Sequence, residues 1–183
     1  MPFKFEPLEI PGPVLITPRV FKDGRGFFLE AYQLSAFAEA GIKKTFVQDN
    51  QSVSAKGVIR GLHYQKPPAA QAKLVHCLKG RIFDVAVDIR KNSPTFGKWA
   101  GRELDGETHR MLYVPEGFAH GFSVLSEAAE VLYKVTREYS PENDRGVLWN
   151  DSDLAIDWKI TSPLVSEKDA ALPPLKNCAA DFS

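Results

Sequence analysis

The chain has 183 residues, and its 23 basic and 23 acidic side chains cancel to a formal net charge of zero. This length predicts one domain, over residues 1–183, that buries a hydrophobic core without needing disulfides or a structural metal. The balanced charge, with no run of one sign, argues against nucleic acid or an anionic membrane as a partner.

The chain shows no signal for export or membrane insertion. Residues Met1 to Glu6 lack a basic segment followed by an apolar stretch, and no segment approaches the roughly 20 apolar residues of a membrane span. The two cysteines, Cys77 and Cys178, form neither a CxxC motif nor a dense framework, so both are interpreted as structural. A cytoplasmic location is therefore expected.

Prolines are frequent at both ends of the chain, from Pro2 to Pro18 and from Leu172 to Leu175. Both segments are predicted to be extended and to wrap the surface of the domain or of a partner. Between them, a short helix is predicted from Leu34 to Ala40, with Ser35 as a candidate N-cap and Gly41 just beyond its end.

Alternation of apolar and polar residues is typical of β-strands and recurs along the chain. From Phe83 to Ile89 the odd positions are apolar and the even positions are Asp, Ala and Asp, which predicts a strand buried on one side. A second alternation runs from Val131 to Tyr139 and places Tyr133 on the more apolar, inward face. Turn signals separate the strand candidates, at Asp23-Gly24, Lys79-Gly80, Asp105-Gly106 and Glu116-Gly117. The pattern predicts an all-β antiparallel sandwich or barrel with few, short helices.

His63, within Arg60-Gly61-Leu62-His63-Tyr64, is the main candidate for a catalytic group. Arg60 and Lys73 would disfavour its burial unless an anion or a carboxylate compensates, and Asp169 is available to orient the ring. A histidine oriented in this way is an effective general base, worth roughly 10²–10⁴ in rate. Strict alternation places Arg60 and His63 on opposite faces, so both reach one pocket only if Gly61 permits a bulge.

Lys73 begins an apolar run in which a period of two aligns it with Val75 and Cys77. Its ammonium group either reaches water from the end of a strand or stabilises a developing enolate oxygen. His76 belongs to the opposite face and is interpreted as structural, whereas His109 follows a polar turn and is expected to be solvated.

Two further segments are candidates for ligand binding. The segment Arg25 to Glu30 is either a glycine turn entering an edge strand or a phosphate site, and Gln48 to Ser52 is either a polar turn or a set of hydrogen-bonding groups for sugar hydroxyls or a base edge. Arginine forks suit a pyrophosphate, so Arg25 and Arg60 are natural anion anchors.

The spacing Gly57-x5-His63-x-Gln65, followed by Gly80 and Pro115-x-Gly117-x-x-His120, resembles the two motifs of the cupin superfamily. The resemblance implies a double-sheet jelly-roll barrel, often a metal-binding one. Here the metal set is incomplete, because Gln65 stands where a metal-binding cupin usually has a second histidine and Pro67 to Ala70 replace the acidic ligand. His63 and His120 alone are a poor site for a metal that wants three protein ligands, so no metal is expected.

Taken together, these motifs resemble the dTDP-4-dehydrorhamnose 3,5-epimerase family over nearly the whole chain. The resemblance implies a homodimer in which an N-terminal strand crosses to the partner and carries Arg25 and Glu30 towards the other subunit's site. It implies cofactor-free chemistry on a dTDP-4-keto-6-deoxy sugar, with His63 as proton acceptor paired with Asp169, Tyr133 as proton donor and Lys73 beside them. The other residues it implies at the substrate site are Phe28, Gln48, Asn50, Arg60, His120, Tyr139, Asp144 and Lys168. One departure is visible, since the family usually has glutamate where this chain has Asp144.

Three alternatives remain open from the sequence. A single-centre epimerase or a ketoisomerase acting on another dTDP-4-keto-6-deoxy sugar would share these motifs, although the presence of both His63 and Tyr133 favours the double epimerase. A metal cupin such as a dioxygenase would bind iron or manganese at His63 and His120. A noncatalytic cupin would bind the nucleotide sugar without exchanging its protons.

Overall fold

A computed structural model of the chain describes residues 2–178 and residue 182. In chain order the strands are β1 (Phe3–Pro7), β2 (Val14–Pro18), β3 (Val20–Asp23), β4 (Gly26–Leu29), β5 (Gln48–Ala55), β6 (Val58–Gln65), β7 (Lys73–Lys79), β8 (Arg81–Asp88), β9 (Trp99–Asp105), β10 (Met111–Val114), β11 (Phe118–Val124), β12 (Ala128–Val135), β13 (Asp144–Gly146) and β14 (Leu164–Val165). The helices are short: α1 (Leu34–Glu39), α2 (Glu167–Ala170) and a 3₁₀ turn at Leu175–Asn177.

Two sheets form the body of the protein. The first has the order β1-β2-β10-β7-β12-β5, and the second has the order β13-β6-β11-β8-β9 with β14 beside β6. All pairs are antiparallel except β14 with β6. The prediction of an all-β, cupin-type jelly-roll barrel is confirmed. Strands β3 and β4 pair only with each other, as a separate ribbon.

The space between the two sheets is filled mainly by apolar side chains. Val75, Leu112 and Val131 come from the first sheet, and Ile82 and Phe122 come from the second. Burial of these side chains removes apolar surface from water and so favours folding. Strand β7 packs against β9, and β12 packs against β8, which closes the barrel.

The outer faces of the sheets are also partly covered. Phe37 of α1 and Ile42 lie against the first sheet. Leu154, Trp158 and Leu175, from the segment after β13, lie against the second sheet. The burial of β8 follows from this arrangement, and it corrects the predicted strand with one buried side. Asp84 and Ala86 point into the barrel while Phe83 and Val85 are covered from outside, so both faces are buried.

Two boundaries differ from the sequence prediction. The helix begins at Leu34 as predicted, but it ends at Glu39, and its N-cap residue is Gln33 and not Ser35, with no side chain capping it. Gly41, with a φ of 91°, follows its end as expected. The strand predicted to reach Tyr139 ends at Val135, because both neighbouring strands begin opposite that residue, at Gln48 and at Lys73, and leave no ladder to continue.

The N-terminal segment is extended, as predicted, and β1 and β2 join the chain's own first sheet. The β3–β4 ribbon contacts the loop before β10 through the Phe27 ring, whose centroid lies 4.4 Å from that of the His109 ring. His109 is therefore buried, and the expectation that it would be solvated is wrong. No helix within residues 2–178 is long and apolar enough to span a membrane.

Candidate active site

A polar cavity lies between the two sheets, beside the apolar interior. Its two adjoining parts share His63, Lys73 and Tyr133. His63 belongs to β6 in the second sheet, whereas Lys73 and Tyr133 belong to β7 and β12 in the first. The imidazole therefore lies on one wall of the cavity, and the phenol and the ammonium group lie on the other.

A bulge in β6 brings Arg60 and His63 to the same cavity. His63 pairs with His120 and Arg60 with Phe122, so two residues of β6 stand opposite the single residue Gly121. Gly61 has a φ of 138°, and a Cβ atom there would lie 2.5 Å from the Cα of Gly121. The predicted bulge is present, and it depends on a glycine because any side chain would collide with the neighbouring strand.

His63 and Asp169 form a hydrogen-bonded pair although 106 residues separate them. His63 Nε2 lies 2.6 Å from Asp169 Oδ1, and the Gly61 N–H donates to Asp169 Oδ2 at 3.2 Å. Ser166 caps α2 by accepting a hydrogen bond from the Asp169 N–H at 3.1 Å, which places the carboxylate at the first turn. Burial opposes ionisation of this carboxyl group, but its hydrogen bond and charge interaction with His63 outweigh burial and lower the pKa of Asp169. A carboxylate at Nε2 leaves Nδ1 of His63 to accept a proton.

Lys73 is buried at the start of β7, with Nζ donating to the His63 carbonyl oxygen at 3.3 Å. Burial lowers its pKa to about 8, while the charges of Asp144 and Asp84 act in the opposite direction. The inward alignment with Val75 and Cys77 is confirmed, and the alternative of an ammonium group in water is wrong. An ammonium group held in a poorly solvated cavity stabilises developing negative charge more strongly than one in water.

Tyr133 faces the cavity from β12, with its ring centroid 6.0 Å from Lys73 Nζ. Burial raises the pKa of Tyr133, and the nearby charge of Arg60 only partly offsets this effect. The phenol therefore keeps its proton at neutral pH, which is the form that can donate one.

The inner end of the cavity contains a second carboxylate–imidazole pair, which the sequence analysis missed. His120 Nε2 lies 2.7 Å from Asp84 Oδ1, and both side chains are buried. Burial lowers the pKa of His120, although the charge and hydrogen bond of Asp84 act against this effect. Because His120 pairs directly with His63 across β6 and β11, this second pair supports the wall that carries the first.

Polar groups linked in a row by hydrogen bonds form the outer rim of the cavity. Gln48 donates to Asn50 Oδ1 at 2.8 Å and accepts from the Tyr139 N–H at 3.0 Å. Asp144 Oδ2 accepts from the Tyr139 hydroxyl at 3.2 Å and from Lys168 Nζ at 2.5 Å. These five residues were all predicted at the site, and the structure brings them together at its mouth.

Arg25, Phe28 and Glu30 do not line the cavity that contains His63. Arg25 is at the tip of the β3–β4 ribbon with 91% of its side chain exposed, and its guanidinium group contacts Asp23 at 2.6 Å. Among residues 2–178 and 182, no group of three or more His, Cys, Asp or Glu side chains is arranged to hold a metal ion. The absence of a cofactor stays a prediction.

Comparison with known proteins identifies the family. A sequence profile described as dTDP-4-dehydrorhamnose 3,5-epimerase matches residues 7–177. The chain belongs to the dTDP-4-dehydrorhamnose 3,5-epimerase family. The enzyme of that name from Shigella flexneri is 56% identical over 162 residues, which cover 88% of this chain and 90% of the relative.

Solved structures agree with this family assignment. The dTDP-6-deoxy-D-glucose-3,5-epimerase of Legionella pneumophila, in complex with dTDP-4-keto-L-rhamnose, superposes with a TM-score of 0.93 at 47% identity, covering 96% of this chain and 94% of that one. A 3'-monoepimerase from Streptomyces bikiniensis, in complex with dTDP-quinovose, superposes with a TM-score of 0.88 at 34% identity, covering 93% of this chain and 87% of that one. The dTDP-4-dehydrorhamnose 3,5-epimerase fold thus accommodates epimerases of one centre as well as of two.

Two residues of this dTDP-4-dehydrorhamnose 3,5-epimerase family member have contacts that sequence reasoning did not assign. Asp84 was predicted on the polar face of its strand. The one sequence feature that could have indicated its buried contact is the position of an aspartate at the centre of a mostly apolar strand. Gln65 was noted only as a missing metal ligand, yet its buried amide hydrogen-bonds to three backbone groups around the cavity.

Proposed function

We propose that the protein epimerises dTDP-4-dehydro-6-deoxy-D-glucose at C3 and C5 to dTDP-4-dehydro-L-rhamnose, as a cofactor-free isomerase of dTDP-L-rhamnose biosynthesis. The observation that carries the proposal is the placement of His63 and Tyr133 on opposite walls of one cavity. A 4-keto sugar has acidic C–H bonds on both sides of its carbonyl, so inversion needs a base on one face of the ring and an acid on the other.

The proposed reaction starts with removal of a carbon-bound proton by His63 Nδ1. Asp169 orients the ring through Nε2 and stabilises the imidazolium that forms. The electron pair of the C–H bond moves to the carbonyl oxygen as an enolate, whose charge the Lys73 ammonium group stabilises. Tyr133 then donates its proton to the opposite face of the carbon, and solvent restores both side chains before the second centre reacts.

The outer rim is the proposed site of the nucleotide. Tyr139 is 56% exposed as a residue, and its ring offers a flat face on which a base could stack. Lys168 and Arg60 supply cationic groups for the pyrophosphate, and Gln48 and Asn50 supply amide donors and acceptors. In this scheme Asp144 acts through the rim, by holding Tyr139 and Lys168, and Asp84 and His120 support the wall behind the sugar.

A homodimer is part of the proposal. Phe21, Phe27 and Phe28 of the ribbon are 48%, 58% and 65% exposed, and Val53 on the outer face of the first sheet is 66% exposed. Exposed apolar groups of this kind mark protein–protein contacts. The exchanged N-terminal segment is then the β3–β4 ribbon, which would carry Arg25, Phe28 and Glu30 to the cavity of the partner.

Changing Arg25 to alanine is expected to raise KM about 10-fold or more with little change in kcat, because a charge-assisted contact to the pyrophosphate is lost equally in ground and transition states. Lys22→Ala, which removes a cation from the same ribbon, is the matched control. Equilibrium sedimentation would show whether the protein is a dimer. A fully active monomer would contradict the role of Arg25 in trans.

The reaction itself is tested by incubating the protein with dTDP-4-keto-6-deoxyglucose in D₂O, with and without a chelator, and following C3 and C5 by NMR. Exchange and inversion at both carbons, unaffected by chelation, are the expected results. Inversion at one carbon would favour the single-centre epimerase suggested by the similarity to the Streptomyces bikiniensis enzyme. Activity that chelation removes and one metal restores would indicate a metal cupin, and the absence of any exchange would indicate a binding protein.

A cytoplasmic location completes the proposal. Cys77 is a buried free thiol, and its burial raises its pKa to about 12, so it is a packed core residue and not a reactive one. A buried thiol of this kind suits a reducing compartment.

A further inference from the structure

Gln65 is the last residue of β6 and is only 3% exposed. Its side chain makes three hydrogen bonds. Its Nε2 donates to the Ala69 carbonyl oxygen at 2.8 Å and to the Glu138 carbonyl oxygen at 3.3 Å. Its Oε1 accepts from the Ser140 N–H at 2.7 Å. One buried amide therefore joins the loop after β6 to the segment after β12.

The second of these segments carries Tyr139, whose position depends on backbone contacts. Gln65 binds the residues on either side of it, and the Tyr139 N–H itself donates to Gln48 Oε1 at 3.0 Å. Tyr139 is more than half exposed, so packing alone does not hold its ring in place. Its hydroxyl group then reaches Asp144, which also accepts from Lys168.

The chemistry of the amide explains why glutamine occupies this position. A primary amide offers two N–H donors and an acceptor oxygen, whereas a neutral imidazole offers one donor and one acceptor, and a carboxylate offers no donor. Two carbonyl oxygens and one N–H surround Gln65, and only the amide matches all three. The loop that replaces the acidic ligand of metal cupins supplies one of these carbonyls, at Ala69.

We propose that Gln65 is a positioning residue for the nucleotide end of the substrate, and that it acts by holding Tyr139 at the cavity mouth, where the Tyr139 hydroxyl group donates to Asp144 beside Lys168. The inference rests on the proposed function for the identity of the ligand. It gives Gln65 an effect on binding and none on proton transfer, because the hydrogen bonds described for the amide go to Ala69, Glu138 and Ser140 and not to His63 or Tyr133.

Gln65→Glu and Gln65→Met test this role. Glutamate keeps the size of the side chain and the hydrogen bond from the Ser140 N–H, but it places an oxygen atom where the Nε2 donor faces two carbonyl oxygens. Methionine removes all three hydrogen bonds. Both variants are expected to raise KM for dTDP-4-keto-6-deoxyglucose, and the calorimetric Kd for dTDP, about 10-fold or more, with kcat changed less than about 3-fold.

Gln33→Met is the matched control, because Gln33 is an exposed glutamine at the start of α1 whose side chain does not cap the helix. It should leave KM, kcat and Kd unchanged. Unchanged binding in both Gln65 variants, or a fall in kcat alone, would overturn the proposal. Loss of the cooperative thermal unfolding transition in both would assign Gln65 to stability and overturn it as well. If the wild type binds dTDP but does not epimerise the sugar, the proposed reaction fails while the Kd values still decide the role of Gln65.

Discussion

Replacing His63 with alanine is expected to abolish exchange of substrate hydrogen at both C3 and C5. His63 and His120 both line the cavity, but His120 is buried at its inner end, whereas His63 is only partly buried and its Nδ1 is left free of the Asp169 carboxylate. Loss of a general base costs roughly 10²–10⁴ in rate, and here both centres depend on the same base. Deuterium incorporation measured by NMR should fall by this factor, while dTDP binding measured by calorimetry should not change.

Asp169→Asn should be less severe than His63→Ala, because Asp169 orients and stabilises the base but does not receive the substrate proton. The amide still reaches His63 Nε2 but no longer carries the negative charge that stabilises the imidazolium. Weak activity with an altered pH–rate profile is expected. Exchange at only one carbon in His63→Ala, or wild-type kinetics in Asp169→Asn, would contradict the assignment of this pair as the base.

Strand periodicity predicted the side of the cavity that the first sheet forms. Lys73 and Tyr133 belong to regular strands with apolar neighbours two residues away, so alternation placed Tyr133 inward and aligned Lys73 with the apolar face. For Arg60 and His63 alternation was insufficient, because the bulge at Gly61 shifts the register by one residue. The sequence indicated that a glycine could permit the bulge, but only the contact with Gly121 shows why it is required.

The misplaced residues share a physical reason. Asp84 and His109 were assigned to solvent because polar residues usually are, and each is covered by an element distant in sequence. The first sheet lies over Asp84, and the ribbon residue Phe27 lies over His109. Alternation reports which residues share a face, and it does not report what packs against that face.

The prediction that His63 pairs with Asp169 had a different origin. No periodicity connects β6 with a helix 106 residues later, so the need of His63 for a carboxylate and the family resemblance suggested the contact. Gln65 shows the limit of such resemblance, because the cupin motifs indicate only that a metal ligand is missing. Its bonds go to backbone groups in loops, which follow no period that a sequence displays.

Tyr133→Phe is expected to separate proton removal from inversion. His63 approaches the sugar from the second sheet and Tyr133 from the first, so a single pose gives each carbon a base on one face and an acid on the other. Burial raises the pKa of Tyr133 and keeps the phenol protonated until the enolate forms. Phenylalanine preserves the ring and its packing against the barrel interior, and it removes only the hydroxyl group.

The variant should therefore bind dTDP normally and still exchange substrate hydrogen with D₂O at the face that His63 reaches. Formation of the C5-inverted product should fall by about 10² or more, because reprotonation from His63 restores the starting configuration. Tyr113→Phe is the matched control, since that phenol is buried on the outer face of the same sheet and away from the cavity. NMR would follow exchange and inversion separately in both variants. Formation of the doubly inverted product by Tyr133→Phe at the wild-type rate would show that water or another side chain delivers the proton, and that Tyr133 is not the acid.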